Sequence, residues 1–221
     1  MHSSNQCQQG RTEHDVGRSM SSGGSIEPLN LPTAERFLSF QDRILAQAIA
    51  LQSLRWPLYP SEDPIWGLVR IVMAQQISTR EACRIAERVR ASYPTIARPS
   101  PELIPVTQDL RRFGLPERRA RCCINILEKA DQIRNRVRRG ETWESAVAGI
   151  KGIGPWTLAI FRIMVLRDPD VLPHGDVGLE RAIANLYGVG HDIEQLAENW
   201  RPFRSVACWY LWRTLGNEQL G

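Results

Sequence analysis

The residues best suited to chemistry lie between positions 149 and 179. Gly149-Ile150-Lys151-Gly152-Ile153-Gly154-Pro155-Trp156-Thr157 places two glycines two residues apart, directly before a helix start. Glycine tolerates positive φ and close approach of another backbone. Pro155 suits a first helical position, where a missing N–H costs nothing. The free N–H groups of Gly152, Ile153, Gly154 and Thr157 would then face an anion at a helix N-terminus, and a phosphate is the natural guest. Twenty positions after Trp156, Leu172-Pro173-His174-Gly175-Asp176-Val177-Gly178-Leu179 sets one carboxylate at the next helix start. A phosphate grip followed by a lone aspartate implies an enzyme acting on nucleic acid, beyond a mere binder.

Asp176 admits two compatible readings. As a cap it accepts N–H bonds from the helix beginning at Val177. As a catalytic group its charge stabilises a cation developing beside it and orients an attacking water. Capping and the helix dipole both favour the ionised form. His174 is expected to be a loop residue.

These elements must be positioned by helices. Apolar residues at 37, 38, 44, 45, 48, 49 and 51 form a helical stripe over 34–54. Further helices are expected over 64–76, 78–92, 108–112, 116–139, 141–148, 155–166, 177–186, 193–199 and 203–215. Ser78 with Glu81 makes a capping-box pattern. No strand alternation is sustained and the loops are short, so the expected class is all-α. Residues 1–30, rich in Ser, Gly and Gln, read as a flexible tail.

The chain of 221 residues carries a net charge of +4. Residues 111–139 hold ten Lys/Arg against Glu117, Glu128 and Asp131, a local +7, which leaves −3 for the rest. A basic stretch just before the hairpin suits a phosphate-facing surface, although any single arginine there also suits a solvated helix face. The five cysteines form no Cys-x-x-Cys pair, which argues against a disulfide framework or a zinc site. Cys83, Cys122, Cys123 and Cys208 are expected in the core. No apolar run approaches the ~20 residues of a membrane span, and no signal region precedes the first helix.

The hairpin, the Asp176 segment, Ile71-Val72-Met73-Ala74-Gln75-Gln76-Ile77-Ser78 and Trp200-Arg201-Pro202-Phe203-Arg204-Ser205-Val206-Ala207 with Trp212 resemble the helix-hairpin-helix superfamily of DNA glycosylases. The last segment is similar to the signature of the 3-methyladenine DNA glycosylase II branch. The resemblance runs from about 35 to 217 and implies two helical subdomains with a DNA-binding cleft between them. The middle one spans about 64–167; in the other, the first helix packs with 175–217. Domain boundaries follow at 1–30 for the tail and 31–221 for the glycosylase domain.

The resemblance also assigns roles. Asp176 is the catalytic carboxylate. Trp156 and Trp212 line a base pocket whose electron-rich faces suit cationic alkylated purines; core packing is the alternative for each. Gln75 and Gln76 match the region that plugs the gap left by a flipped base, Gln76 aligning with the plug itself, while helix capping remains open for both. Strand-cleaving relatives carry a Schiff-base lysine where this chain has Trp156, so simple hydrolysis of the N-glycosidic bond is expected. Relatives' four-cysteine cluster and N-terminal β-rich domain have no counterpart here, so no iron–sulfur cluster, metal or other cofactor is expected. The implied partner is double-stranded DNA with damaged bases, met by a monomer in the cytoplasm, at the nucleoid of a bacterium or in a eukaryotic nucleus. The alternatives are a glycosylase for oxidised or deaminated bases and a non-catalytic helix-hairpin-helix DNA-binding protein.

Overall fold

The computed structural model describes residues 30–52, 63–96 and 104–216, and every regular element among them is helical. The order is α1 (Leu31–Gln41), α2 (Arg43–Ala50), α3 (Pro64–Ala74), α4 (Thr79–Ser92), α5 (Thr107–Arg112), α6 (Glu117–Glu128), α7 (Ala130–Arg138), α8 (Trp143–Ala146), α9 (Pro155–Phe161), a π-helical turn (Arg162–Leu166), α10 (Val177–Tyr187), α11 (Ile193–Glu198) and α12 (Arg204–Thr214). The all-α class is as expected. The tail of residues 1–29 and Cys7 lie outside the described residues, as do positions 53–54 of the first predicted helix.

Two helices are apolar on almost every side, and each organises a group around it. In α3 the buried residues are Ile65, Trp66, Gly67, Leu68, Val69, Ile71, Val72 and Met73. In α12 they are the unbroken run from Ser205 through Trp212. A helix without a polar face belongs inside a protein. Helix α3 packs against α4, α6, α9 and the π-helical turn, and α12 against α1, α2 and α10. Gly67 permits the closest approach within the first group: a Cβ there would meet Val165 Cγ2 at 2.7 Å.

Two predicted helices are each split. The 34–54 stripe breaks at Asp42, which closes α1 and opens α2. Its Oδ1 accepts from the Ile44 and Leu45 amides at 2.9 Å each. A short polar side chain that bonds its own backbone competes with helix continuation. Its Oδ2 accepts from Tyr187 Oη on α10 at 2.7 Å and from Trp200 Nε1 at 2.9 Å. The 116–139 helix breaks at Lys129, whose φ of −94° and ψ of 5° leave the helical region. Only Trp143–Ala146 of the predicted 141–148 helix is helical.

Cys122, Cys123 and Cys208 are buried as expected, and Cys83 is only half-buried. No described helix is long and apolar enough to cross a membrane.

Asp42 ties α1, α2, α10 and the approach to α12 through one buried carboxylate. Asp42→Ala leaves four donors without their acceptor, and each buried unsatisfied group costs about 1–3 kcal/mol. Chemical denaturation should therefore show a loss of at least about 3 kcal/mol. A loss below about 1 kcal/mol would mean that water replaces the carboxylate.

Candidate active site

The segment carrying Asp176 is fastened before it reaches the site. Arg204 donates from Nε to Asp170 Oδ1 at 2.6 Å and from Nη2 to the Asp170 carbonyl at 2.9 Å. Arg201 Nη1 reaches Asp170 Oδ2 at 2.9 Å. The Val171 amide donates to Ser205 Oγ at 2.9 Å, and the Ser205 amide to the Pro169 carbonyl at 3.0 Å. Phe203 meets Phe37 edge-on at 5.5 Å between centroids. The Trp200–Ser205 stretch thus reads in physical terms as a clip. It binds the start of α12 to the loop over 168–173, and through Trp200 to Asp42.

Asp176 follows this loop, 7% exposed, as the cap of α10. The Leu179 amide donates to its Oδ1 at 2.6 Å. Trp212 Nε1 donates to the same oxygen at 2.9 Å, and Trp156 Nε1 to Oδ2 at 2.6 Å. An ionised carboxylate is acceptor-only with room for about four hydrogen bonds, and all three partners are donors. Oδ1 is filled; Oδ2 keeps one acceptor position. A Cβ on Gly178 would stand 3.2 Å from Oδ1 and 3.6 Å from Trp212 Cδ1, so glycine is what lets the carboxylate and indole sit this close.

Asp176, Trp156 and Trp212 line one cavity of about 540 Å³, with Gln75, Gln76, Gly152 and Val177 around it. This is the size range of small-molecule sites. The lining draws on both helix groups: α3 and α6 on one side, α10 and α12 on the other.

The hairpin folds by its glycines, each in its own way. Gly152 has a φ of +105°, and a Cβ there would meet Cys122 Sγ at 2.9 Å. The turn therefore presses onto α6. Gly154 has an extended backbone, φ −108° and ψ 179°, not the positive φ that its type allows. A Cβ on Gly154 would meet nothing within 4 Å, so this glycine leaves open space before α9. Ile153 packs inward against the core, leaving its backbone at the turn. Thr157 is buried at 3% exposure and accepts from Gln75 Nε2 at 2.9 Å. The two glutamines are separated by this bond: Gln75 is tied down, and Gln76 is exposed with a φ of +58°.

His174 is an exposed loop residue beside Glu194, with Nδ1 at 3.2 Å from the carboxylate. Half of the basic stretch is ion-paired. Arg111 and Arg121 meet Glu117, Arg112 meets Asp109, Arg134 meets Asp63 and Asp131, and Arg136 meets Glu141. Two arginines of the stretch line the cavity. Arg119 donates to the carbonyls of Met73, at 3.3 Å, and Gln75; burial lowers its guanidinium from the ordinary value. Arg118 is exposed and lines the cavity, with no hydrogen bond or ion pair to another described residue. The sequence offered these two only as members of a charged run. Burial pushes the Cys122 thiol up to about 11, which keeps it protonated and unreactive. Among the described residues no cluster of His, Cys, Asp and Glu could hold a metal.

No protein-family model matches the chain. Curated relatives do. A Mycobacterium tuberculosis protein named "probable bifunctional transcriptional activator/DNA repair enzyme AlkA" is 32% identical over 163 residues, covering 66% of this chain and 32% of that protein. The chain therefore spans about a third of the length of this relative. DNA-3-methyladenine glycosylase 1 of Schizosaccharomyces pombe is 29% identical over 171 residues, covering 69% and 73%. The solved structure of the S. pombe 3-methyladenine DNA glycosylase in complex with abasic DNA shares the fold, with a TM-score of 0.66 at 24% identity over 82% of this chain and 96% of that one. By these likenesses the chain is similar to the AlkA-like branch of the helix-hairpin-helix DNA glycosylase superfamily. The hairpin and the Asp176 segment share the wall of one cavity, and the clip anchors the loop that leads to Asp176.

The donors around Asp176 make the isosteric amide disruptive. In Asp176→Asn one oxygen becomes an NH₂ group that faces an indole N–H. One buried donor then loses its acceptor, at about 1–3 kcal/mol. Denaturant unfolding should register that loss. Unchanged stability would mean that an indole has turned to another acceptor.

Proposed function

We propose that the protein is a monofunctional DNA glycosylase that hydrolyses the N-glycosidic bond of alkylated purines such as 3-methyladenine in duplex DNA. The observation that carries this reading is the buried Asp176 carboxylate, fixed by two indole N–H groups at the wall of a cavity large enough to take a base. The relatives' names point to the same substrate class.

In the proposed reaction the damaged nucleotide leaves the stack and its base enters the cavity. The C1′–N bond breaks with its electron pair passing to the base. An alkylated base is cationic, so it departs neutral and needs little acid catalysis. The sugar becomes cationic next to Asp176, whose charge is already held in place and pays no reorganisation. Water then adds at C1′ and releases a proton, leaving an abasic site. Trp156 and Trp212 have two parts to play: their N–H edges hold the carboxylate, and their rings wall the cavity for a cationic base.

The absence of strand cleavage belongs to the same proposal. None of the residues lining the cavity is a lysine, and the position after Pro155 is given to an indole that bonds Asp176. The amides of Gly152, Gly154 and Thr157 are read as a phosphate grip; that of Ile153, expected in the same role, instead donates to the Ile150 carbonyl at 3.2 Å. We read the helices around α3 and those around α12 as the two subdomains, with DNA crossing the cleft between them. The enzyme would work as a monomer wherever the DNA is, at a bacterial nucleoid or in a nucleus. A second reading, excision of deaminated or oxidised purines, is favoured by Arg118. Its unpaired guanidinium at the cavity suits the carbonyl oxygens such bases carry.

Two experiments test the proposal. On methylated duplex DNA the protein should generate alkali-labile abasic sites, and borohydride should trap no covalent adduct. Asp176→Asn should lower the single-turnover rate on the order of 10²-fold or more while an abasic-site analogue is still bound. Activity that survives in the folded variant makes Asp176 only a cap, and a trapped adduct removes the hydrolytic assignment.

Arg118 supplies a separate measurement. If it meets a phosphate, Arg118→Gln should reduce the slope of log K against log salt for DNA binding by about 0.9. Arg121→Gln, whose partner is Glu117, should leave the slope nearly unchanged. An unaltered slope for Arg118→Gln, with a changed ratio of hypoxanthine to 3-methyladenine excision, transfers Arg118 from the backbone to the base.

A further inference from the structure

Gln75 makes contacts that ending a helix does not require. Its side-chain amide crosses to the hairpin, donating to Thr157 Oγ1 at 2.9 Å and to the Gly152 carbonyl at 3.4 Å. These partners lie 82 and 77 positions away in the chain. Its own carbonyl accepts from Arg119, which also takes the Met73 carbonyl. The last carbonyls of a helix have no intrahelical partner, and here an α6 side chain supplies one. Gly152 in turn presses on Cys122 of α6. The end of α3, the start of α6 and the hairpin are therefore joined at three points around Gln75.

The next residue is the contrast. Gln76 is exposed, with a left-handed φ of +58° and no side-chain hydrogen bond to another described residue. That conformation is unfavourable for a residue with a Cβ and persists where the surroundings dictate it. The restraint on Gln75 supplies those surroundings: one glutamine is locked so that the other projects from a fixed point.

We propose that Gln75 and Thr157 form a positioning couple that makes the turn bearing Gln76 and the phosphate-gripping hairpin a single rigid unit, so that holding the DNA backbone and opening the base stack happen together. This rests on the glycosylase reading for its substrate, and it gives Gln75 and Thr157 a positioning role exerted through the turn and the hairpin. The coupling matters where a stack must be opened. A single strand has no paired stack to open and no gap to fill, so it should not depend on the couple.

Thr157→Val is nearly isosteric and removes the acceptor, whereas Thr157→Ser keeps it. Two readouts separate this inference from the glycosylase reading. One is single-turnover excision of a methylated purine in duplex and in single-stranded DNA of the same sequence. The other is the fluorescence rise of 2-aminopurine placed opposite a stable abasic analogue, which reports unstacking without catalysis. Thr157→Val should slow duplex excision on the order of tenfold or more, the size of effect expected from small misplacement. The single-strand rate should stay within about twofold. The fluorescence rise should shrink, and Thr157→Ser should restore both.

Gln75→Met attacks the couple from its half-buried side and must shrink the fluorescence rise as Thr157→Val does, the double variant being no worse than either single one. Equal losses on both substrates, or a full fluorescence rise in Thr157→Val and Gln75→Met, overturn the couple while leaving an active wild type as a glycosylase. A fluorescence rise that depends on Thr157 in a protein with no excision upholds the couple and removes the glycosylase reading.

Discussion

A single carboxylate with three N–H donors sets the geometry of this protein. Asp176 accepts from the α10 backbone, from α12 through Trp212 and from α9 through Trp156. Three helices that meet nowhere else in sequence are thereby brought to one point. Hydrogen bonds to a charged group contribute about 1.5–3 kcal/mol each. A buried carboxylate left short of partners costs several. The site is thus stable only as a set: loss of any donor strands charge, and loss of the charge strands donors. Such mutual dependence gives an electrostatic group the fixed position from which it can act on a developing cation without reorganising.

The clip at the start of α12 serves the same end at one remove. Asp170 is held by two arginines and the Val171 amide by Ser205, so the loop enters the site from a fixed anchor. Asp42 repeats the motif in the α12 group, with Trp200 and Tyr187 as donors. Both buried carboxylates therefore hold tryptophan N–H groups from the same stretch of chain, Trp200 before α12 and Trp212 within its last turn. A helix with no polar face has no hydrophobic stripe to set its rotation. The anchored Trp212 indole does so instead.

How much was legible in the sequence varies with the range of the interaction. Local signals read well. Pro64, Ser78, Pro155 and Asp176 mark helix starts because capping is settled within three or four residues. The breaks at Asp42 and Lys129 were missed because the apolar stripe continues through both, and periodicity measures burial, not continuity. At Asp42 the deciding partners, Tyr187 and Trp200, lie 145 and 158 positions away. In the site, the family resemblance placed Asp176, Trp156 and Trp212 beside one cavity, yet the indoles were read by their faces alone. Their N–H bonds to Asp176 depend on how α9 and α12 cross, which no spacing encodes. The basic run misled in another way. Counting charge over 111–139 assumes free arginines, and carboxylates pair with five of them; Arg118 stands out only once the pairs are drawn.

The position after Pro155 shows how one residue can join fold and chemistry. On the proposed reading, strand-cleaving relatives need an amine there to attack C1′, and a lysine in that place would meet Asp176 as an ion pair. Trp156 offers the carboxylate a neutral donor at 2.6 Å instead. A neutral donor orients the charge without cancelling it. The full negative charge then remains for the sugar, which suits a reaction whose leaving base is already positive and whose barrier lies in the cation left behind. On that proposal, hydrolysis without strand cleavage follows from how the carboxylate is held, and the indole does the holding.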